Sequence, residues 1–240
     1  MCIRDRTDAW NTLQSMLLKV ATALGDDLLS RVAFVGGCTT GLLLTDSTTR
    51  GDVRFTDDVD LIIGLTGVAE WVKLQEKLGQ RGFRVTMGED IACRTRLGDL
   101  IVDFMPDDAS ILGFTNRWYR DALSHTLSAR LSDSVTIRYL SAPYFLGTKF
   151  EAFAGRGKND VLESRDIEDI LLLLDGRREI VSEIHQAAAG LKIYLQDAMA
   201  NLIKHPDFLH ALPGSIRDAD RAALAVARMQ AIIAGQAQLY

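Results

Sequence analysis

Three aspartates have the residue type and the spacing to bind a metal ion together. Asp58 and Asp60 are two positions apart in the strand-like segment 58–63, so their side chains point to one face of a sheet. Asp103 lies in the apolar segment 100–105, where a lone buried carboxylate is costly unless it is paired or bound to a metal. Clustered carboxylates suit Mg²⁺, which also binds water and substrate phosphates. Solvated or salt-bridged aspartates at strand ends are the competing interpretation.

A glycine pair, Gly36-Gly37, separates an apolar strand-like segment (32–35) from a short segment of helical composition. Glycines in that place let a phosphate approach the backbone and the start of the helix. A tight turn is the alternative. The pattern is neither a dinucleotide-binding fingerprint, because Cys38 replaces its second glycine, nor a P-loop, because no Gly-Lys-Ser/Thr follows.

Hydrophobic periodicity predicts the elements that position these residues. A helix is expected over 8–24, and a second is indicated by Val68, Trp71, Val72 and Leu78 on one face. Strands are expected over 32–35, 58–63, 83–87, 91–97 and 100–105, with Gly98-Asp99 as a hairpin turn. This order indicates a sheet with helices packed on it, in an α+β fold.

The chain changes character at Pro143, a residue suited to the first turn of a helix. Beyond it nearly every segment has helical composition, and Ile167, Ile170, Leu171 and Leu174 form an apolar stripe that ends at Gly176. We therefore expect a catalytic sheet domain over 1–142 and a helical domain over 143–240. Residues 1–6 resemble a translated sequencing adapter, which makes a non-native start a hypothesis.

Composition excludes several classes of protein. The net charge of −5 argues against coating nucleic acid through bulk positive charge, although a local basic groove stays open. The 3 cysteines show no CxxC spacing, so a disulfide framework or structural zinc site is not expected. No apolar run is long enough for a membrane span or a signal peptide. The expected location is the cytoplasm.

The combined pattern is more specific than its parts. A strand, Gly36-Gly37, a short helix, then Arg54-x-Thr56-x-Asp58-x-Asp60 and a third Asp on a later strand resembles the nucleotidyltransferase superfamily that includes DNA polymerase β. The resemblance implies that Gly36 and Gly37 contact the triphosphate. It also implies that two Mg²⁺ ions (or Mn²⁺) are held by Asp58, Asp60 and Asp103, and that a nucleoside monophosphate moves from a nucleoside triphosphate to an acceptor hydroxyl.

More narrowly, the glycine and aspartate spacing is similar to that of AbiEii/AbiGii-type nucleotidyltransferases, many of them toxins of type IV toxin–antitoxin systems. The segments Thr148-Lys149-Phe150 and Arg165-Asp166-Ile167 resemble that family's Lys-containing helix and its (Lys/Arg)-Asp-x-x-Asp helix. By this resemblance Lys149 contacts nucleotide phosphates and Asp166 lines the active site, with the nucleotide in the cleft between the domains. The implied partners are a tRNA 3′ end as acceptor and a cognate antitoxin.

Several alternatives remain open at the level of sequence. Lys149 taken alone suits a solvated position, and Asp166 and Asp169 suit the first turns of a helix through its dipole. Cys38 stands where many superfamily members have Ser or Thr, so Thr39 is the candidate hydroxyl for phosphate. A small-molecule acceptor of the antibiotic type uses the same catalytic residues. A non-catalytic nucleotide-binding or antitoxin-type partner is the alternative from another class.

Overall fold

The computed structural model describes residues 3–85, 91–156 and 159–239, with side chains from residue 9 onward. The chain forms two compact units. One, the sheet unit, contains residues 1–42 and 54–141; the other, the helical unit, contains residues 43–53 and 142–240. The hypothesis of a non-native start concerns residues 1–6, of which 1 and 2 lie outside the described ranges.

The described part of the sheet unit contains a seven-stranded sheet in the order β3-β4-β5-β2-β1-β7-β6. The strands are Val32–Val35 (β1), Asp58–Ile63 (β2), Phe83–Arg84 (β3), Arg94–Leu97 (β4), Leu100–Pro106 (β5), Thr126–Arg130 (β6) and Thr136–Leu140 (β7). Strand β2 runs parallel to β5 and antiparallel to β1, and β1 runs parallel to β7. The sheet is therefore mixed.

The strands β1, β2 and β5 lie where the sequence predicts them, whereas β4 covers only the last four residues of the predicted segment 91–97. The pair β4 and β5 forms the expected antiparallel hairpin, with Leu97 opposite Leu100 and Gly98 at φ 64° in the turn. Strand β3 covers the start of the predicted segment 83–87, whose last two residues lie outside the described ranges. The edge hairpin of β6 and β7 has no counterpart among the predictions.

Helices of the sheet unit flank these strands. They are Ile3–Leu29 (α1, interrupted at Gly25), Thr40–Leu43 (α2, whose last residue belongs to the helical unit), Val68–Gln80 (α3), Ala109–Leu112 (α4) and Tyr119–Ala122 (α5). In α3 the predicted apolar face is partly wrong. Trp71 and Leu78 are buried, but Val68 and Val72 are 55% and 47% exposed, and Leu74 takes their place in the core.

The helical unit is built as the composition predicts. Its helices are Ala142–Arg156 (α6), Arg165–Gly176 (α7), Ile180–Gln186 (α8), Ala189–Ile203 (α9), Phe208–Ser215 (α10) and Ala219–Ile233 (α11). The stripe from Ile167 to Leu174 is buried in α7. Ser164 caps this helix by accepting a hydrogen bond from the Ile167 N–H.

Residues 43–53, here called the inserted segment, pack with the helical unit although they precede most of the sheet. The backbone N–H groups of Thr45 and Asp46 both donate to the carbonyl of Gly176, at 3.0 and 2.9 Å. A single boundary at residue 142 therefore does not account for the inserted segment, which belongs to the helical unit although it lies before that boundary. The predicted α+β class, with a mixed sheet, flanking helices and a helical C-terminal region, is confirmed. No helix of the described ranges is long and apolar enough to cross a membrane.

Candidate functional site

The three aspartates share one face of the sheet. Asp58 and Asp60 alternate with buried Val59 on β2, and Asp60 is the register partner of Asp103 on the parallel strand β5. Register partners on neighbouring strands point to the same side, so all three carboxyl groups face the same way. Asp58 and Asp60 are half-buried and Asp103 is buried. The structure thus brings together the predicted carboxylates on one surface of the sheet.

A neighbouring hydroxyl orients Asp58. Thr56, which is buried, donates a short hydrogen bond from its hydroxyl group to Oδ1 of Asp58. This bond fixes one carboxylate oxygen and leaves Oδ2 with no described hydrogen bond. The spacing of two residues between Thr56 and Asp58 therefore has a structural consequence. The threonine restrains the aspartate side chain in one orientation.

Gly36 lies directly against Asp60. Its φ of 78° and ψ of −174° belong to a region that side-chain-bearing residues rarely adopt. A Cβ atom built there would be 1.9 Å from Oδ2 of Asp60. Only glycine lets this carboxylate rest on the backbone after β1. Gly37 follows in a buried 3₁₀ turn, Gly37–Thr39.

The structure does not support Thr39 as a phosphate ligand. Its side chain is 1% exposed, and its hydroxyl donates to the carbonyl oxygen of Gly36 at 2.9 Å. The thiol of Cys38 is also buried and donates to the Val35 carbonyl at 3.3 Å. Both side chains thus bond to backbone carbonyls of the turn itself. The groups of the turn that remain for contact with a phosphate are those of the glycine backbone.

Arg94 is a site residue that the sequence interpretation missed. Its Nε donates to Oδ1 of Asp103 at 2.9 Å and its Nη2 donates to Oδ2 at 2.8 Å, a bidentate pair. A carboxylate has about four lone-pair positions, so Asp103 keeps roughly two for another partner. A signal was present in the sequence: a two-residue turn at Gly98-Asp99 places Arg94 opposite Asp103.

The donor set fits Mg²⁺ only with help from a substrate. Within the described ranges, no group of three or more His, Cys, Asp or Glu side chains could hold a metal ion. Mg²⁺ nevertheless binds commonly through one or two carboxylates together with water and phosphate oxygens. Asp58 and Asp60 meet that requirement. Burial, and then the charge of Asp103, raise the pKa of the nearby Cys93 thiol to about 11. This thiol is therefore neutral near pH 7.

The helical unit contains a separate buried charge cluster. Lys149 of α6 is 5% exposed, and its Nζ lies 3.1 Å from Asp166 Oδ1 and 2.6 Å from Asp169 Oδ2, both on α7. Arg156, an exposed residue at the end of α6, also contacts Asp166 at 3.3 Å. Lys149 is thus not in the solvated position that its residue type alone suggests.

The aspartates of α7 are likewise more than helix caps. Ser164 provides the cap, while Asp166 and Asp169 are buried and directed at Lys149. The predicted contact of Lys149 with phosphates finds no support in these contacts, since both carboxylates already bind its ammonium group. The cluster joins α6 to α7, with the Lys149 ammonium group between the two aspartates.

Comparisons with known proteins add a distant likeness. No protein-family model matches the sequence, and no curated protein matches it. The crystal structure of JHP933 from Helicobacter pylori shares 14% sequence identity and a TM-score of 0.48, over 94% of this chain and 92% of that chain. The crystal structure of a provisionally named nucleotidyltransferase from H. pylori shares 14% identity and a TM-score of 0.48, over 95% of each chain. Similarity this distant does not transfer an activity, and the AbiEii/AbiGii family stays a prediction.

Proposed function

We propose that the protein is a metal-dependent nucleotidyltransferase, which moves a nucleoside monophosphate from a nucleoside triphosphate to an acceptor hydroxyl. The observation that carries this proposal is the contact between Gly36 and Asp60. A phosphate that approaches the glycine backbone meets a carboxylate at once. Two negative groups so close repel each other unless a cation lies between them. Asp58, on the same face, supplies the second carboxylate for that cation.

In the proposed reaction, each residue of the site has a separate role in binding the nucleotide or the metal ion. The backbone at Gly36 and Gly37 admits the triphosphate, and Asp58 and Asp60 hold Mg²⁺ against it, with Thr56 fixing Asp58. When bound, Mg²⁺ neutralises charge on the transferring phosphoryl group. Asp103 completes the site through the lone pairs that Arg94 leaves open, and Arg94 keeps its carboxylate in one orientation.

The acceptor follows from the family resemblance. A tRNA 3′ end is the acceptor that an AbiEii/AbiGii-type toxin implies, and a cognate antitoxin is then the implied partner. A small-molecule hydroxyl uses the same carboxylates and is the alternative acceptor. Three basic residues near the turn after α6 are candidates for an RNA groove: Arg165 is exposed, Arg156 is exposed but contacts Asp166, and Lys158 lies outside the described residues.

A second candidate is a non-catalytic nucleotide-binding or antitoxin-type partner. It is favoured by two contacts within the proposed site. Arg94 already neutralises Asp103 with a bidentate bond, and Thr39 directs its only hydroxyl proton to the backbone. In this candidate the triphosphate binds beside Gly36 and no transfer follows.

The deciding experiment is a transfer assay. The intact protein is incubated with Mg²⁺ and each labelled nucleoside triphosphate, with and without total tRNA. Label in tRNA or in another acceptor supports the enzyme, and Asp58→Asn is expected to reduce the rate by about 10²–10³-fold. Asp57→Asn is the matched control, because Asp57 is the exposed neighbour in the same segment. Both variants should keep the circular dichroism spectrum of the parent.

Each outcome separates the candidates. Triphosphate binding without transfer to any acceptor supports the non-catalytic partner. An Asp58→Asn protein as active as Asp57→Asn contradicts the assignment of Asp58 to the metal site.

A further inference from the structure

The helical unit contains a cavity that the proposed chemistry does not use. It has a volume of about 300 Å³ and lies between α6, the loop after it and α9. Pockets for small molecules start at about this size. A single ring system fits such a volume, whereas an extended polymer does not. The cavity lies entirely within residues 150–205, inside one unit of the molecule.

One face of α9 forms a wall of this cavity. Tyr194, Asp197, Ala198, Asn201 and Leu202 follow the helical spacing of three and four residues, so they share that face. Ala198, the smallest of them, leaves the space that a larger side chain would fill. From α6, Phe150 and Phe153 supply the aromatic side of the cavity, and Phe150 is buried. A flat apolar ring therefore has surface to pack on from both helices.

The rim of the cavity is polar and rich in acceptors. No described residue forms a hydrogen bond or ion pair with the side chains of Asp197 and Asn201, and both are exposed. None of the described lining residues is Lys or Arg. Among these described lining residues a phosphate meets no Lys or Arg, and it meets the charge of Asp197. The rim instead favours a neutral ligand that carries a hydrogen-bond donor.

His205 and Asn159 add a defined donor. Nδ1 of His205 accepts from the N–H of Asp207 at 3.2 Å, so the proton of the neutral ring is on Nε2. Nδ2 of Asn159 lies 2.9 Å from Nε2. Because two N–H groups cannot donate to each other, we assign the amide oxygen to the position that faces the ring. The NH₂ group of Asn159 is left as a donor for another partner. The cavity lining thus combines one donor with the acceptors on α9.

We propose that this cavity binds an amino-bearing nucleobase, of the adenine or cytosine type, as a free nucleoside or at an unpaired nucleotide. The base packs between the aromatic side chains of α6 and the Ala198 face of α9. Its exocyclic amino group donates to Asp197, and Asn201 contacts the adjacent ring nitrogen, the pairing that carboxylate and amide side chains make with such bases. This proposal does not depend on nucleotidyl transfer, because no residue of the sheet unit takes part.

The test is titration calorimetry of the full-length protein with nucleosides. Adenosine and cytidine are compared with inosine and uridine, in which a carbonyl oxygen replaces the amino group. We expect saturable binding of adenosine or cytidine, and binding at least about tenfold weaker for the deaminated counterpart, because an oxygen then faces Asp197. Asp197→Asn should remove this preference. Asp220→Asn, an exposed carboxylate on α11, should retain it.

Two further variants locate the binding. Ala198→Phe fills the cavity and should abolish binding, whereas Ala223→Phe, at an exposed position of α11, should not. Asn201→Ala keeps the proposal testable if Ala198→Phe fails to fold, and a loss of at least about threefold in affinity is expected. Binding that persists in Asp58→Asn/Asp60→Asn supports a site outside the sheet unit.

Four results with nucleosides and variants overturn the proposal, and a fifth result comes from a simple amine. The first four are no saturable binding at millimolar nucleoside, equal binding of amino and deaminated nucleosides, unchanged binding in a folded Ala198→Phe protein, and loss of binding in Asp58→Asn/Asp60→Asn. Benzylamine that binds as tightly as adenosine also overturns it, since the site is then one for apolar amines.

Discussion

Gly36 and Asp60 constrain each other at the scale of single residues. The carboxylate of Asp60 occupies the place where a side chain at position 36 would begin. The backbone there also adopts a positive φ of 78°, which an L residue with a Cβ reaches only with strain. The glycine is therefore required twice, once for its conformation and once for its contact with Asp60. This double requirement is what makes the pair a sensitive probe of the site.

Gly36→Ala is expected to lose about 1–3 kcal/mol of stability and to displace the Asp60 carboxylate. If Asp60 holds the metal ion, the transfer rate should fall by about 10²-fold, as for other misplaced catalytic groups. Urea unfolding and the transfer assay measure the two effects. Gly79→Ala in α3 is the control, because a Cβ there meets nothing within 4 Å. Helix propensity predicts that this control gains about 0.5–1 kcal/mol. A Gly36→Ala protein as stable and active as the parent would contradict the assignment.

Residue type and alternation were enough to predict the carboxylates but not their neighbours. Asp58, Asp60 and Asp103 stand out because acidic residues interrupt apolar strands. Arg94 pairs with Asp103 only through the register of the hairpin, which a composition-based interpretation did not use. Thr39 was misassigned for the opposite reason. Its type suits a phosphate, but its position inside a 3₁₀ turn directs the hydroxyl to the backbone.

At the scale of elements, a buried charge cluster joins α6 to α7. Lys149 lies between Asp166 and Asp169, and the side chain of Asp169 is 1% exposed. Removing Lys149 takes the shared ammonium group away from two buried carboxylates, although Asp166 keeps its contact with Arg156. The cost of breaking buried ion pairs in this way exceeds what the intact pair contributes.

Lys149→Met is expected to destabilise the protein by about 3–5 kcal/mol. Adding Asp169→Asn to that variant should recover part of the loss, because one uncompensated charge is removed. Urea unfolding of the single and double variants measures both effects. Lys204→Met, an exposed lysine of the same unit, should stay within about 0.5 kcal/mol of the parent. If Lys149→Met unfolds with the parent's midpoint, the cluster contributes nothing to stability, and a role in binding phosphate becomes the better explanation of Lys149.

The inserted segment also contains a carboxylate, Asp46, whose ionised form is stabilised by its neighbours. Hydrogen bonds from the hydroxyl and backbone N–H of Thr48, followed by the charge of Arg221, lower the pKa of Asp46 to about 2. Its stabilising contribution is complete above the unfolded pKa, near 4, and is lost as the pH falls towards about 2. Burial raises the pKa of Asp175, which has the opposite effect: its contribution is greatest at low pH and declines as the pH rises.

Asp46→Asn should therefore be less stable than the parent above about pH 4, with the difference closing towards about pH 2. Because the charge of Asp46 also raises the pKa of Asp175, the difference between the two proteins reports Asp46 together with its effect on Asp175. Urea midpoints measured across this range provide the test, with Asp220→Asn as the control carboxylate. A difference in midpoint that stays constant with pH would show that Asp46 is not held in its ionised form.

The prediction of helices and strands succeeded where most residues of a segment are buried. Strand β1 is a continuous apolar run with the predicted bounds, and helix α7 contains the apolar run 170–174 and has the predicted buried stripe. The hairpin of β6 and β7 was missed because β6 has no buried residue, so no apolar run marks it. Val68 and Val72 were assigned to the buried face of α3 from their helical spacing, but they face solvent. Periodicity identifies a helix more reliably than it identifies which apolar residues the core accepts.

At the scale of the whole molecule, the order of the chain and the order of its units differ. Residues 43–53 leave the sheet unit before most of its strands are made and join helices that begin at residue 142. Arg177 donates to the Leu43 carbonyl at 2.6 Å, and Arg221 binds Asp175 at 3.0 Å as well as Asp46. At position 176 only glycine fits, because a Cβ would lie 2.4 Å from Thr49 Oγ1 and 2.7 Å from Leu44 Cδ2. The helical unit is therefore incomplete without a segment distant in sequence.

A fragment of residues 142–240 should consequently fold poorly by itself. Without the inserted segment, Gly176 loses two backbone donors and Arg221 loses Asp46, and the apolar surface beneath Leu44 meets water. We expect thermal unfolding of this fragment, followed by circular dichroism, to be broad or shifted well below that of the full chain. A synthetic peptide of residues 43–53 should restore a cooperative transition, and the same peptide with Asp46→Asn should do so at higher concentration. The opposite result is a fragment that unfolds cooperatively at the temperature of the full chain and shows no response to the peptide. That result would mean that the inserted segment does not contribute to the stability of the helical unit.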